Sequence, residues 1–490
     1  MRLRIYKRKV LALLLALGAA AACALTLWGS GGGGRPEGGE AFTPHSPSFP
    51  GTRGLLLPPP LPHLFPHNAS AFPPPPPSKP PREEEDEDED GLSLLSGPNA
   101  TLRLRSLIYR LNFDQPLRNA HKWRPLTADH GNDAADTGAP WVALVVQVHS
   151  RPEHLSLLLG SLRQAKGVER VLLVLSHDVW SPELNALASA VDFCAVLQIF
   201  FPFSLQLYPE EFPGPDPRDC PRDLGRAAAL QRGCLNARFP DSFGHYREAA
   251  FAQAKHHWWW KLHFAWERLR ALRGLPEPGL LLFLEEDHFL APDALHVLRR
   301  LWDMRQRECP ECQVLSLGSY AAVRADDADF AAKARAAELK TWKSTEHNMG
   351  LAFPRETYRQ LAACSEAFCA YDDYNWDWTL QHLTVGCLPR FWKVLLPQVP
   401  RVFHTGGDCG MHHSKKKDKA AADKASAACH PAAQIRKVEA LLAAHRDSLF
   451  PEAMALSKRF PLAPLSPHVK NGGWGDIRDH ELCKSYQRLQ

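Results

Sequence analysis

GLLLFLEEDHFLAP, residues 279–292, carries a short greasy run straight into three consecutive acids, Glu285, Glu286 and Asp287. Leu280 to Leu284 is apolar, brief and preceded by Pro278-Gly279, which predicts a buried strand of an α/β sheet. Carboxylates at the carboxyl end of such a strand lie where open α/β sheets bind ligands. Three adjacent acids repel one another unless a cation, specific hydrogen bonds or water compensates them. A hard divalent ion gripping a diphosphate meets that need, and a solvated strand-to-loop corner is the plain alternative.

The neighbouring pattern extends the strand into a sheet. Trp141 to Val148 reads as a strand and Pro152 to Gln164 as a helix; Val171 to Leu175, Pro182 to Ala190 and Val196 to Phe201 repeat the alternation. A long aromatic helix is expected over Phe251 to Leu269, then the acidic strand, a helix from Pro292 to Arg305 and a strand from Val314 to Leu317. Alternating elements of this kind predict an α/β, largely parallel, Rossmann-like sheet. Polar residues then gather at strand ends: His149 to Arg151, His177-Asp178 and Glu285 to Asp287. Neither a GxGxxG nor a GxxxxGK[ST] phosphate loop is present, which argues against a dinucleotide dehydrogenase and a P-loop enzyme. A nucleotide held through a metal remains.

The N-terminal part reads as a membrane anchor and a spacer. Arg2, Arg4, Lys7, Arg8 and Lys9 precede an uncharged, mostly apolar run from Val10 to Trp28, long enough as a helix to cover ~28 Å of hydrocarbon. The cations place residues 1–9 on the cytoplasmic side, 10–28 across the bilayer and the rest in the lumen or outside. A cleaved signal peptide is the rival, and Ala19 to Ala22 would suit cleavage. Residues 29–101 are rich in Gly and Pro and include the unbroken acidic run Glu83 to Asp90, the composition of a disordered stem. Two glycosylation sequons, at Asn68 and Asn99, agree with a lumenal orientation. Residues 102–490 are ample for one large catalytic domain.

The 490 residues carry 58 Lys and Arg against 54 Asp and Glu, a net charge of only +4, with no sustained basic stripe for nucleic acid. Twelve cysteines are present. With Cys23 in the anchor, an odd number face the oxidising side, and Cys194 in FCAVLQIF suits the buried free thiol. CPEC at 309–312 lacks a second CxxC, so a local disulfide is expected there rather than zinc. A second acidic cluster, YDDYNWDW, sets Asp372, Asp373 and Asp377 among aromatic residues, which suits a carbohydrate and equally suits a turn over core tryptophans. HHWWWKLHF likewise reads both as core aromatics and as a helix touching nucleotide with its other face.

A family resemblance adds to these readings. MRLRIYKRKV, LVVQVHSRPEHLSLLL, SHDVWSPELN, FFPFSLQLYPEEFPG, DPRDCPRDL, PDSFGHYREA, KHHWWWKLHF, LFLEEDHFLAPD, TWKSTEHNMGLA, YDDYNWDWTLQ and KNGGWGDIRDHELCKSY closely resemble the N-acetylglucosaminyltransferase II family. The match covers nearly all of the chain except the stem, here long and proline-rich. It implies a GT-A glycosyltransferase fold, a UDP-N-acetylglucosamine donor, Mn²⁺, and inverting transfer to the 2-hydroxyl of the α-1,6-arm mannose of an N-glycan core. It also implies a Golgi membrane protein, single-pass type II, and is compatible with a homo-oligomer. Motif by motif, Asp287 is the implied metal ligand and His404, in RVFHTGGDCG, the second. Gln147, Val148, His149, Ser150 and Arg151 are implied donor contacts, with Asp178 at the uracil edge; Gln253, Ala254, Lys255, His256, His257 and Arg324 complete that site. Asp377 is the implied general base. The implied disulfides are Cys220–Cys234, Cys309–Cys312, Cys364–Cys387, Cys369–Cys483 and Cys409–Cys429.

Three departures stand out: Ser150 where the family pattern has Asn, one extra glycine in HTGGDC, and a Cys409–Cys429 loop enlarged with lysines and alanines. Three other readings compete. A glycoside hydrolase would use separated carboxylates without metal or nucleotide. A lectin-like ectodomain would use the aromatics without turnover. A related transferase would share the donor and choose the other mannose arm.

Overall fold

A computed structural model describes residues 96–488, apart from positions 98, 125–139, 321–323, 325, 407–430 and 467–468. The predicted tail, anchor and most of the stem, and the Cys409–Cys429 pair, lie outside the described residues. Among the described residues no helix is long and apolar enough to cross a membrane. A helix over Ala100–Asp114 opens the described fold.

Eleven strands run in chain order: β1 Trp141–Val148, β2 Leu172–His177, β3 Ala195–Phe200, β4 Gly279–Glu285, β5 His288–Leu290, β6 Val314–Ser316, β7 Ala336–Thr341, β8 Leu351–Pro354, β9 Lys393–Pro397, β10 Val402–His404 and β11 Ala455–Arg459. Nine form one sheet in the order β11-β7-β9-β6-β8-β4-β1-β2-β3, and β10 pairs with β5 as a separate ribbon. The block β4-β1-β2-β3 is parallel throughout, as the sequence predicts. The other half is mixed: β8 runs antiparallel to β4 and β6, and β7 antiparallel to β9. The fold is therefore a mixed α/β sheet, parallel where the polar strand ends gather.

Both faces of the parallel block are covered, which is why its strands read as largely apolar runs. Along β1, Val142, Leu144, Val146 and Val148 point into one core shared with the helix Pro152–Gln164 and the helix Ala294–Glu308. Trp141, Ala143 and Val145 point into the other, built on the helix Ala249–Glu267 with its buried Trp258, Trp259 and Trp260. Trp259 stacks on Phe368 with ring centroids 3.9 Å apart, and Trp258 on Trp376 at 4.4 Å. The helix thus packs on the sheet with one face and holds the segment before Asp377 with another. Gly279 must be glycine, because a Cβ there would lie 2.0 Å from the Trp141 ring.

Four implied disulfides are formed, Cys220–Cys234, Cys309–Cys312, Cys364–Cys387 and Cys369–Cys483, and Cys194 is buried and free. The β5–β10 ribbon is anchored by a fully buried ion pair. Arg401 donates through Nε to both carboxylate oxygens of Asp293, at 2.8 and 2.9 Å, and through its other nitrogens to the carbonyls of Val399 and Ala334. Removing one member strands the other charge, so Asp293→Ala is expected to lower stability by about 3–5 kcal/mol in a denaturant titration. A loss below about 1 kcal/mol, the size of a surface pair, would show that this clamp does not hold the ribbon.

Candidate active site

The parallel strands β1, β2 and β4 end side by side, and their register sets out a row of polar side chains. Gln147 pairs with Ser176 on one side and with Glu285 on the other. These residues point to the face covered by the aromatic helix, which answers with Gln253, His257 and Lys261, spaced four apart along one helical stripe. The His257 ring meets the Ser176 hydroxyl at 2.8 Å, and Lys261 Nζ donates to Gln147 Oε1. Gln253 donates to Asp178 at 3.1 Å, and the His149 ring lies 2.8 Å from the same carboxylate. Burial works to raise the Asp178 pKa, but the hydrogen bond from His149 and the nearby His257 ring, 3.7 Å away, outweigh it and hold the group well below the usual carboxylate range. Asp178 is therefore an ionised acceptor in a dry setting.

Two members of the acid trio have charged partners, and they share Arg151. Glu286 is buried and accepts from Arg151 Nε at 2.6 Å and from the His149 backbone N–H at 2.8 Å. Glu285 is pushed up by burial and by Asp287, with Lys261 opposing. Asp287 takes Arg151 at 3.0 Å and His404 Nε2 at 3.3 Å, both through Oδ2. Burial works upward on Asp287, but His404 and Arg151 hold it far down, so it is ionised. His404 reaches it because β10 pairs with β5 in the register His404 to His288, and Thr405 donates through both N–H and hydroxyl to the Asp287 carbonyl at 2.8 Å.

The residues fit a divalent cation. Asp287 Oδ1 is buried with no hydrogen-bond partner, an orphaned anionic oxygen that a cation would satisfy. A neutral imidazole and a carboxylate are suitable ligands for a borderline divalent ion. Space is kept by Gly406, where a Cβ would sit 2.7 Å from Asp287 Oδ2 and 2.9 Å from the His404 ring. Despite the extra glycine of HTGGDC, His404 and Asp287 face one another. Among the described residues no group of three or more His, Cys, Asp or Glu forms a complete cage, so further ligands would come from substrate oxygens and water.

Asp377 lies in the first turn of the helix Trp376–Gly386. Its Oδ1 accepts from the Trp378 N–H at 2.9 Å and its Oδ2 from Asn348 at 3.2 Å. Burial pushes this carboxyl up to about 6 against those two hydrogen bonds. Tyr320 lies within electrostatic reach of Glu285, Asp377 and Asp287, and Asp377 also acts on Glu285, so these groups are near one another. Asp372 and Asp373 do structural work instead. Asp373 is buried and accepts from the N–H and side-chain amide of both Asn375 and Asn471, at 2.9–3.0 Å. Asp372 accepts from Ser242 and from the Trp474 N–H, and Asp241 from the Gly473 N–H at 2.7 Å. The C-terminal segment 470–476 is thus locked between two loops beside Asp377.

Of the implied donor residues, the structure gathers Gln147, Val148, His149, Arg151, Asp178, Gln253 and His257, with Ser150 exposed at the same loop. Ala254 follows Gln253 on the helix, half-buried. Lys255 and His256 turn to other faces. Lys255 Nζ donates to the Tyr371 and Asp373 carbonyls at 3.0 and 2.8 Å, and His256 lies between Asp479 and Tyr486. Arg324 is exposed and engaged with Asp326. Lys261, Tyr320 and Asn348 were not singled out from sequence; the four-residue spacing from Gln253 and His257 was the available signal for Lys261.

Comparison with known proteins identifies the family. A sequence model of N-acetylglucosaminyltransferase II matches residues 105–483. The alpha-1,6-mannosyl-glycoprotein 2-beta-N-acetylglucosaminyltransferase of Mus musculus is 53% identical over 494 residues, covering 100% of both chains. That of Homo sapiens is 53% identical over 497 residues, again covering 100% of both. The Arabidopsis thaliana protein of the same name is 28% identical over 402 residues, 81% of this chain and 83% of that one. The chain belongs to the N-acetylglucosaminyltransferase II family and is a glycosyltransferase.

Proposed function

We propose that the chain transfers N-acetylglucosamine from UDP-N-acetylglucosamine, with inversion, to the 2-hydroxyl of the α-1,6-arm mannose of an N-glycan core, on a GT-A fold. The observation that carries this reading is the nearness of two groups: the Asp287–His404 pair with its orphaned oxygen, and Asp377, whose carboxyl burial pushes up to about 6. The names of the relatives support the acceptor and the linkage.

In this reading the ionised Asp178 accepts the imide N–H of uracil while Gln147 and His149 border the base. Asp287 and His404 would hold Mn²⁺, which when bound supplies charge neutralisation for the diphosphate leaving group. Asp377 takes the proton from the mannose hydroxyl as that oxygen bonds to the anomeric carbon. The bond to the β-phosphate oxygen breaks in the same displacement, and its electron pair leaves with UDP. One displacement turns an α-linked donor into a β product, so no covalent nucleophile is needed. Tyr374 and Trp376, beside the base, offer faces on which sugar rings stack. The N-terminal cations and apolar run support a type II anchor in the Golgi membrane, with the catalytic domain lumenal; the chain should stay in the pellet on alkaline carbonate extraction, and release into the supernatant would refute the anchor.

Asp287→Asn should fold and lose Mn²⁺-dependent UDP binding in calorimetry, because an amide oxygen is a weaker ligand than a carboxylate. Unchanged metal-dependent binding would remove Asp287 from the metal site. Asp377→Asn keeps the shape and removes the basicity, so turnover of UDP-N-acetylglucosamine and a defined N-glycan core should fall ~10²–10⁴-fold while UDP affinity stays near wild type. The base works only when deprotonated, so wild-type kcat should rise with pH through about 6 and level off above it. Retention of more than about a tenth of wild-type turnover by Asp377→Asn would sink the base assignment.

A further inference from the structure

We infer that Lys261 is a positioning residue: by holding the side-chain carbonyl of Gln147, it turns the Gln147 amide nitrogen toward the site as a hydrogen-bond donor for an oxygen of the bound uridine nucleotide. The inference rests on the donor-site reading given above and deepens it. Lys261 is buried in the middle of an aromatic helix, where a cation is costly without compensation. Its Nζ lies 2.5 Å from Gln147 Oε1, with Glu285 and Asp178 as the charges it feels. An amine hydrogen needs an acceptor, so the carbonyl end of the Gln147 amide faces Lys261 and the NH₂ end faces away.

Gln147 is the single residue of β1 that is not buried, and its Nε2 has no partner among the described residues. The amide therefore presents an unspent N–H donor at the strand end, one strand from the Asp178 acceptor. A carbonyl next to an imide N–H, the pattern of uracil, complements that pair of groups. Lys261 itself lies behind Gln147, so its influence on the nucleotide passes through the amide.

Calorimetric titration of the full-length chain with UDP in saturating Mn²⁺ tests this. Lys261→Met and Gln147→Met should each weaken UDP binding about tenfold, and the double variant should be no weaker than either single one, because both changes remove the same contact. A purely structural lysine would instead give losses that multiply. Gln147→Glu covers the case in which Lys261→Met does not fold: it keeps an acceptor for Lys261, so Tm should hold, but removes the N–H, so UDP affinity should fall by about the same tenfold. Multiplicative losses, or wild-type affinity in Gln147→Glu, overturn the inference alone. A wild-type chain that binds no UDP overturns the donor-site reading and the inference with it.

Discussion

Four acids are held away from water at the carboxyl ends of a buried parallel sheet, and the compensation of their charge governs what surrounds them. An unpaired carboxylate in such a place would neutralise or unfold its surroundings. Three of them have direct partners, His149 and Gln253 for Asp178, Arg151 for Glu286, and the same Arg151 with His404 for Asp287, while Glu285 feels Lys261 only at a distance. The partners come from three directions, the β1 loop, the aromatic helix and the β10 ribbon. Compensation at Asp287 is incomplete by one oxygen, and that remainder is what a cation can use.

The two carboxylates that carry opposite roles differ through their surroundings. Asp287 meets positive groups and stays ionised, which suits a ligand. Asp377 meets only neutral donors, Asn348 and the Trp378 N–H, so burial dominates and its affinity for a proton rises. In the proposed mechanism the same side-chain type serves as ligand in one place and as base in the other. Rigid supports keep them distinct: the Arg401–Asp293 clamp sets the ribbon carrying His404, and the Trp258–Trp376 stack sets the turn carrying Asp377.

The parallel half of the sheet was legible because its strands are buried, largely apolar runs, three of the four leading directly into polar residues. Trp141–Val148, Leu172–His177 and Gly279–Glu285 all read as apolar runs running into acids or histidines. In the mixed half only β6 was read from the sequence; β8, for one, has four residues, all buried, and shows no alternation. Within the helix Ala249–Glu267 both expected readings hold: the tryptophans pack as core while Gln253, His257 and Lys261 line the strand ends. Lys261 escaped notice because its meaning depends on Gln147 across the sheet, a pairing that no local pattern shows. The roles of Asp372 and Asp373 likewise depend on residues about a hundred positions away.

The lock formed by residues 470–476 makes the far end of the chain part of the catalytic floor. Asn471, Gly473 and Trp474 give backbone donors to Asp373, Asp241 and Asp372, and Cys483 ties the following helix to Cys369. A premature stop that removed only this last stretch would leave every donor-side residue encoded, yet take a backbone donor from each of three buried or half-buried carboxylates. Damage from truncation in this protein is therefore not graded by how much chain is lost, and an allele ending just short of Lys470 should behave as severely as one ending far earlier.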